Sequence, residues 1–237
     1  MANWKNKVVK MTQGTKKRIK NDFNNLARHY QQINKGETNL PIIFSNLPKS
    51  RKKALEIGCG IGRLSKKLAN KFKEVYAIDI SPKMIAEANR RISKVHFIEM
   101  DAEHLRFKNN SFDFIISRNT FHHVNLKKAI TESKRVLKKE GILVIIDIVI
   151  KLRKPIIPLC YLIRIQRFFK NLITKGITKA KKQWNFDIMF LRHLKHDRFM
   201  NKKEFYQQYS SLLPGSKMGN IDKKFGYVIW KNKTIIL

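Results

Sequence analysis

Leu55-Glu56-Ile57-Gly58-Cys59-Gly60-Ile61-Gly62 is an apolar run broken near its end by an acid, and it passes straight into three glycines at alternate positions. Leu64, Leu68 and Phe72 follow at helical spacing, and a second apolar run, Val75-Tyr76-Ala77-Ile78, closes on Asp79, seventeen residues past the last glycine. The order reads strand, loop, helix, strand. It gives a loop whose backbone a ligand can approach closely and a carboxylate delivered beside it. Such a unit binds a nucleoside-bearing cofactor.

Outward from this unit, strand and helix keep alternating. Ser81 is a good N-cap with Pro82 at the first helical position, and Met84, Ile85, Ala88 and Ile92 form the apolar face of the helix that follows. Strand 95–99 leads into Asp101-Ala102, and strand 112–117 follows the polar turn Asn109-Asn110-Ser111. Asn125 can cap a helix carrying Leu126, Ile130 and Leu137, which Gly141 can end; strand 142–150 is then an apolar run broken only by Asp147. Near the C-terminus, 216–222 and 225–232 read as an antiparallel hairpin at the sheet edge. The expected fold is α/β: a doubly wound, Rossmann-like, mostly parallel seven-stranded sheet with a C-terminal antiparallel hairpin.

Four parts follow along the chain: a basic arm and N-terminal helical cap (1–50), the cofactor-binding core (51–150), a basic helical insertion (151–200), and a C-terminal helix with edge strands that complete the same domain (201–237). Residues 1–20 lack periodicity and read as a loose arm, whereas Phe23, Leu26, Ala27, Tyr30 and Ile33 predict a helix over 22–33. If 159–173 is a helix, Arg164, Arg167, Lys170 and Asn171 share one side, with Leu159, Leu162, Ile163, Phe169 and Ile173 largely on the other. That pattern suits a lid over the active site or a contact with an anionic membrane.

The glycine spacing chooses among cofactors. A dinucleotide fingerprint, G-x-G-x-x-G, puts its third glycine where Arg63 stands; this chain reads E-x-G-x-G-x-G. A loop of small residues with an acid at its mouth to pair with an amino group suits S-adenosylmethionine, which carries no phosphates. In these motifs, over roughly residues 50–150, the chain resembles the class I methyltransferases that use S-adenosylmethionine. It is most similar to the type 11 group, which includes the quinone-biosynthesis methyltransferases.

The resemblance implies a role for each strand end. The loop of Gly58, Cys59, Gly60 and Gly62 holds the methionine moiety, and Glu56 receives its amino group directly or through water. Asp79 accepts both ribose hydroxyls, and Ile80 and Met84 flank the adenine. Asp101 accepts the adenine amino group, the amide of Ala102 donates to a ring nitrogen, and a backbone carbonyl near Arg118 borders the sulfonium. The fourth strand lacks the Asn/Asp-Pro-Pro-aromatic tetrapeptide of many N-methylating enzymes. Phe121-His122-His123-Val124 instead resembles the Leu-His-His sequence of the small-molecule and quinone group. His122 and His123 are the nearest candidates for a general base, and His29 and Tyr30 can reach the pocket if the N-terminal helix covers it.

The composition constrains the rest. The chain has 237 residues, 43% of them hydrophobic, enough for one sizeable α/β domain. Cys59 and Cys160 offer neither a disulfide framework nor metal spacing. His193-x-x-His196-Asp197 has metal-like spacing but no third ligand motif elsewhere, so it reads as a surface or lid element, and no metal is expected. No apolar run reaches the ~18 residues of a membrane span, so a cytoplasmic protein, or one peripheral to a membrane, is expected. The net charge of +34 has a bland reading, a lysine-rich genome, and a sharp one, an anionic partner such as RNA or a lipid surface. The charge is uneven: residues 51–150 hold 21 basic and 11 acidic groups, and 151–186 hold ten basic groups and no acid. The leading expectation is methyl transfer to oxygen or carbon of a small, lipid-soluble acceptor. RNA methylation is the alternative, and a non-catalytic basic protein that binds RNA or membrane on the same fold is the third.

Overall fold

The computed structural model describes residues 13–27, 40–150, 156–197 and 199–233. Seven strands form one sheet in the order β3-β2-β1-β4-β5-β7-β6. They are β1 (Lys53–Ile57), β2 (Glu74–Asp79), β3 (His96–Glu99), β4 (Phe112–Arg118), β5 (Leu137–Ile148), β6 (Lys217–Asn220) and β7 (Phe225–Lys231). β1 to β5 are mutually parallel, and β7 runs antiparallel between β5 and β6. From β1 the chain winds outward to β3, then crosses back to lay β4 on the other side of β1. Ile57 is therefore level with Ile78 on one neighbour and with Ser117 on the other. The winding direction reverses at these carboxyl ends, which opens a crevice there.

Alternation along each strand builds a core on both faces. Leu55 and Ile57 join Ile115, Leu143 and Tyr209 on one side. Ala54 joins Leu68, Phe114 and Ile146 on the other. The intervening helices are α3 (Arg63–Leu68), α4 (Pro82–Asn89) and α5 (Leu126–Val136). Ser81 and Asn125 cap α4 and α5 as expected, accepting from Met84 N–H and Lys128 N–H, each at 3.2 Å.

Three elements differ from the sequence reading. The N-terminal helix, α1 (Gln13–Leu26), begins inside the expected loose arm. Charge holds it there as much as periodicity does: Lys16 pairs with Asp101 and Glu103 at 2.6 and 2.8 Å, and Lys20 with Glu99 at 2.5 Å. His29, Tyr30 and Ile33 lie outside the described residues, and α2 (Leu40–Phe44) precedes β1. The helix expected to run to Gly141 stops at Val136, because Leu137 already pairs with Phe112 and begins β5. A long-range ladder overrides the local end signal.

The insertion is a pair of long helices, α6 (Ile156–Lys175) and α7 (Ile177–His196), turning at Gly176. α6 keeps the two sides that the sequence suggests but turns the apolar one outward. Leu162, Phe169 and Ile173 are 58%, 56% and 84% exposed, while Asn171 is buried. Among the described residues no helix is long and apolar enough to cross a membrane. A last helix, α8 (Lys202–Leu212), opens with a capping box between Asn201 and Glu204 and buries Phe205 and Tyr209.

Candidate functional site

The crevice is lined from four strand ends and roofed by α1, which contributes Lys16, Ile19 and Phe23. The loop after β1 is held down on β2: the amides of Gly58 and Cys59 donate to the Ile78 carbonyl at 2.8 and 2.9 Å. Gly58 sits at φ 76°, and a Cβ there would lie 2.0 Å from Thr120 Oγ1. Only glycine lets the first loop pass so close to the loop after β4.

Asp79, at the end of β2, lines the crevice and is largely buried. One of its carboxylate oxygens accepts Gly60 N–H and the other Ser81 N–H, both at 2.9 Å. Burial lifts its pKa to about 6 even though those backbone donors favour the charged form. A carboxylate oxygen has two lone pairs, so each retains capacity for a further donor. Ile80 and Met84 lie beside it on the lining.

Glu56 is not on the lining. It shares a sheet face with Ala54, is buried beneath α3, and accepts Ser65 O–H at 2.5 Å. Burial raises its pKa to about 7, with Ser65 and Arg118 pulling the other way. Cys59 and Gly62 are also off the lining, whereas Gly58 and Gly60 are on it. The Cys59 thiol is buried and pushed well above its ordinary value by that burial, which removes it as a thiolate nucleophile.

Asp101 and Ala102 line the crevice after β3. Asp101 already bonds Lys16 Nζ and Glu103 N–H, at 2.6 and 2.9 Å. Burial lowers the Lys16 pKa, but the two carboxylates more than offset it, and the net shift is upward. Lys16 was not singled out from the sequence, because its partners lie 85 residues or more away in the chain. Arg118 and Asn119 border the crevice after β4. Asn119 stands at φ 56° with its N–H on the Ile146 carbonyl at 2.8 Å, and its buried Oδ1 has no hydrogen-bond partner among the described residues. A buried acceptor left open on a crevice wall marks a place for a ligand's donor. An asparagine at the very end of a strand, able to adopt the left-handed region, was its sequence signal.

The two histidines part company. His122 is off the lining, and Asp147 accepts its backbone N–H at 2.9 Å and meets its Nδ1 at 2.5 Å. Burial disfavours the imidazolium, but Asp147 outweighs it and the pKa is raised. The single acid interrupting the β5 apolar run is thereby explained. His123 does line the crevice, with Phe23 edge-on to its ring at 5.2 Å and Nδ1 3.3 Å from Asp197 Oδ1. Asp197, at the end of α7, is held by burial at a pKa of about 7. Asp197, read as part of a surface or lid element, thus lies inside, against His123. Each of His122, His123 and Asp197 brings a ligand-type atom within 4.8 Å of the others, a grouping that ion pairing with Asp147 and Asp197 accounts for. The side chains of His193 and His196 lie outside the described residues.

Comparison with known proteins agrees with this geometry. Residues 55–145 match the family model described as "Methyltransferase domain". The chain is 32% identical to the malonyl-[acyl-carrier protein] O-methyltransferase of Enterobacter lignolyticus over 51% of this chain and 49% of that protein. It is 28% identical to the demethylmenaquinone methyltransferase of Thermotoga maritima over 56% of this chain and 63% of that one. The crystal structure of a SAM-dependent methyltransferase from Aquifex aeolicus superposes with a TM-score of 0.57 at 18% identity, covering 86% of this chain and 97% of that one. The chain spans about half the length of the first curated relatives it matches. With the strand order and the glycine loop, these matches make the region from Leu55 to Ile145 similar to the methyltransferase domain that the family model describes.

Proposed function

We propose that this chain binds S-adenosylmethionine in the crevice and transfers its methyl group to an oxygen or carbon of a small, lipid-soluble acceptor. The observation that carries the reading is the pairing, on one crevice, of the Asp79 carboxylate beside the Gly58–Gly60 loop with the open Asn119 acceptor across from it. Asp79 would take the ribose hydroxyls on its remaining lone pairs, and Ile80 and Met84 would pack against the adenine. Asp101 would take the adenine amino group, which requires Lys16 to share it or give way. The Asn119 Oδ1 atom and backbone groups near Arg118 would hold the amino-acid part. Glu56, off the lining, would act by fixing α3 and the loop through Ser65.

When bound, S-adenosylmethionine supplies a methyl group on a sulfonium that is already an activated leaving group. The protein's share is alignment and exclusion of water. Ile19 and Phe23 close the crevice from above, and His123 is the group on the lining that can take a proton from an acidic acceptor, with Asp197 holding its ring. His122, committed to Asp147, would position that turn. The names of the two curated relatives, one an O-methyltransferase of a carrier-bound malonyl group and one acting on demethylmenaquinone, span this acceptor range. A lipid-soluble acceptor makes an anionic membrane the partner we propose with it. RNA methylation is the second reading, favoured by the +34 charge.

Thermal unfolding with S-adenosylmethionine, S-adenosylhomocysteine and NAD tests the cofactor. A shift with the two sulfur compounds alone supports it, and no shift at saturation sinks it. Transfer of labelled methyl to a lipid extract, an aqueous extract or total RNA then tests the acceptor class; label confined to RNA would overturn the small-molecule reading.

A further inference from the structure

We infer that the outer face of the α6–α7 hairpin is a docking surface for an anionic lipid membrane. The surface matters to function through the lipid-soluble acceptor proposed above. Every large apolar side chain that is exposed among the described residues lies between Tyr161 and Ile177. Leu162, Ile165, Phe169 and Ile173 recur at i, i+3, i+7 and i+11, so they form one stripe along α6. The face turned to α7 is polar in part. It buries Asn171, pairs Arg167 with Asp187 at 3.3 Å, and sets Phe168 against Trp184 with ring centroids 5.5 Å apart. A surface helix of a water-soluble domain ordinarily turns its stripe inward. Here the stripe faces out, and it continues over the turn to Ile177, 48% exposed.

Charge decides the occupant. Residues 151–186 carry ten basic groups and no acid, and Lys170, Lys175, Lys179 and Lys181 are exposed along the stripe and its tip. A second copy would bring two such hairpins together with the acid of each, Asp187, buried in its own seam, and their like charges would oppose the contact. RNA would satisfy the lysines but leave Leu162, Phe169 and Ile173 in water. An anionic bilayer takes both, headgroups against the lysines and acyl chains against the stripe. The hairpin also reaches the crevice, because Asp197 at the end of α7 pairs with His123 on its lining, and α1 packs on α7. Docking would therefore act on the segment that borders the proposed acceptor position.

The test is co-sedimentation with vesicles of phosphatidylcholine alone and of phosphatidylcholine mixed with phosphatidylglycerol. Two variants accompany the native chain, Leu162→Ser/Phe169→Ser/Ile173→Ser and Lys170→Glu/Lys175→Glu/Lys179→Glu. The native chain should partition onto the mixed vesicles and only weakly onto the neutral ones, and each variant should lower the partition coefficient at least about tenfold. The melting shift with S-adenosylmethionine, measured on the same samples, should be unchanged, reporting an intact core. No binding by the native chain, or binding untouched by the serine variant, would overturn the inference. So would a dimer in light scattering that the serine variant abolishes, since a second copy would then own the stripe. Vesicle binding lost while the melting shift stands condemns the docking surface alone. The reverse pattern condemns the cofactor reading and leaves the surface standing.

Discussion

The crevice at the strand ends and the α6–α7 hairpin dispose their side chains in opposite ways. Around the crevice, carboxyl groups are buried and committed: Asp79 to two backbone amides, Glu56 to Ser65, Asp147 to His122. In the hairpin, apolar side chains face water and part of the buried seam is polar. Packing within the domain explains the first region. Packing among the described residues does not explain the second. Substitutions should therefore cost stability around the crevice and cost association at the hairpin.

The largest expected effect comes from the buried pair beneath the crevice. Asp147→Ala leaves His122 with a buried imidazole and an unpaired backbone N–H, and should destabilise by about 3–5 kcal/mol in urea unfolding. In the hairpin's Arg167–Asp187 pair the arginine is half-exposed and the buried Asp187 keeps a bond from Gln183 at 3.1 Å, so Arg167→Ala should cost less, about 1–2 kcal/mol. Equal losses would break the contrast.

Two glycines sharpen it at nearly equal backbone angles. Gly58 and Gly176 stand at φ 76° and 75°, but a Cβ at Gly58 meets Thr120 at 2.0 Å while one at Gly176 meets nothing within 4 Å. Alanine at Gly176 should cost only the left-handed strain, about 1–2 kcal/mol. Alanine at Gly58 adds overpacking, for a total on the order of 3–4 kcal/mol.

Next is ligand linkage. At a hundredfold excess over Kd, S-adenosylmethionine should stabilise the native chain by about 2.7 kcal/mol, a rise of roughly 5–10 °C in Tm for a chain of this size. Asp79→Ala should abolish the shift, and Leu162→Ser/Phe169→Ser/Ile173→Ser should leave it intact. A shift that survives Asp79→Ala would move the cofactor away from β2.

The last expected effect is with pH. Glu56 is raised from 4.5 to about 7, Asp79 from 3.8 to about 6 and Asp197 from 3.8 to about 7, so the folded state holds these protons more tightly than the unfolded state. The raised pKa of His122 acts in the same direction, its contribution fading as pH rises past 6.5. Stability of the ligand-free chain should therefore fall as pH climbs from about 4 to 7, with the His122 contribution continuing the fall beyond 6.5. Glu56→Gln should remove the Glu56 share of that fall, leaving a shallower slope. A variant with the native chain's full slope would show that Glu56 is not the burden its burial implies.

The sequence alone determined what is encoded locally. The glycine loop, Asp79, the Ser81-Pro82 and Asn125 caps and the strand alternation each lie within a few tens of residues, and backbone propensity and periodicity write such features directly. Tertiary structure decided everything that depends on residues far apart in sequence. Sheet pairing ended α5 at Val136 rather than at Gly141. Lys16 came to Asp101 across 85 positions, Asp147 took His122 out of the crevice, and Asp197 came in to His123. Strand alternation turned Glu56 under α3 instead of into the crevice. Helical periodicity revealed that α6 has an apolar side, but which side faces water depends on what α7 offers to pack against. That choice is made only when the two helices meet.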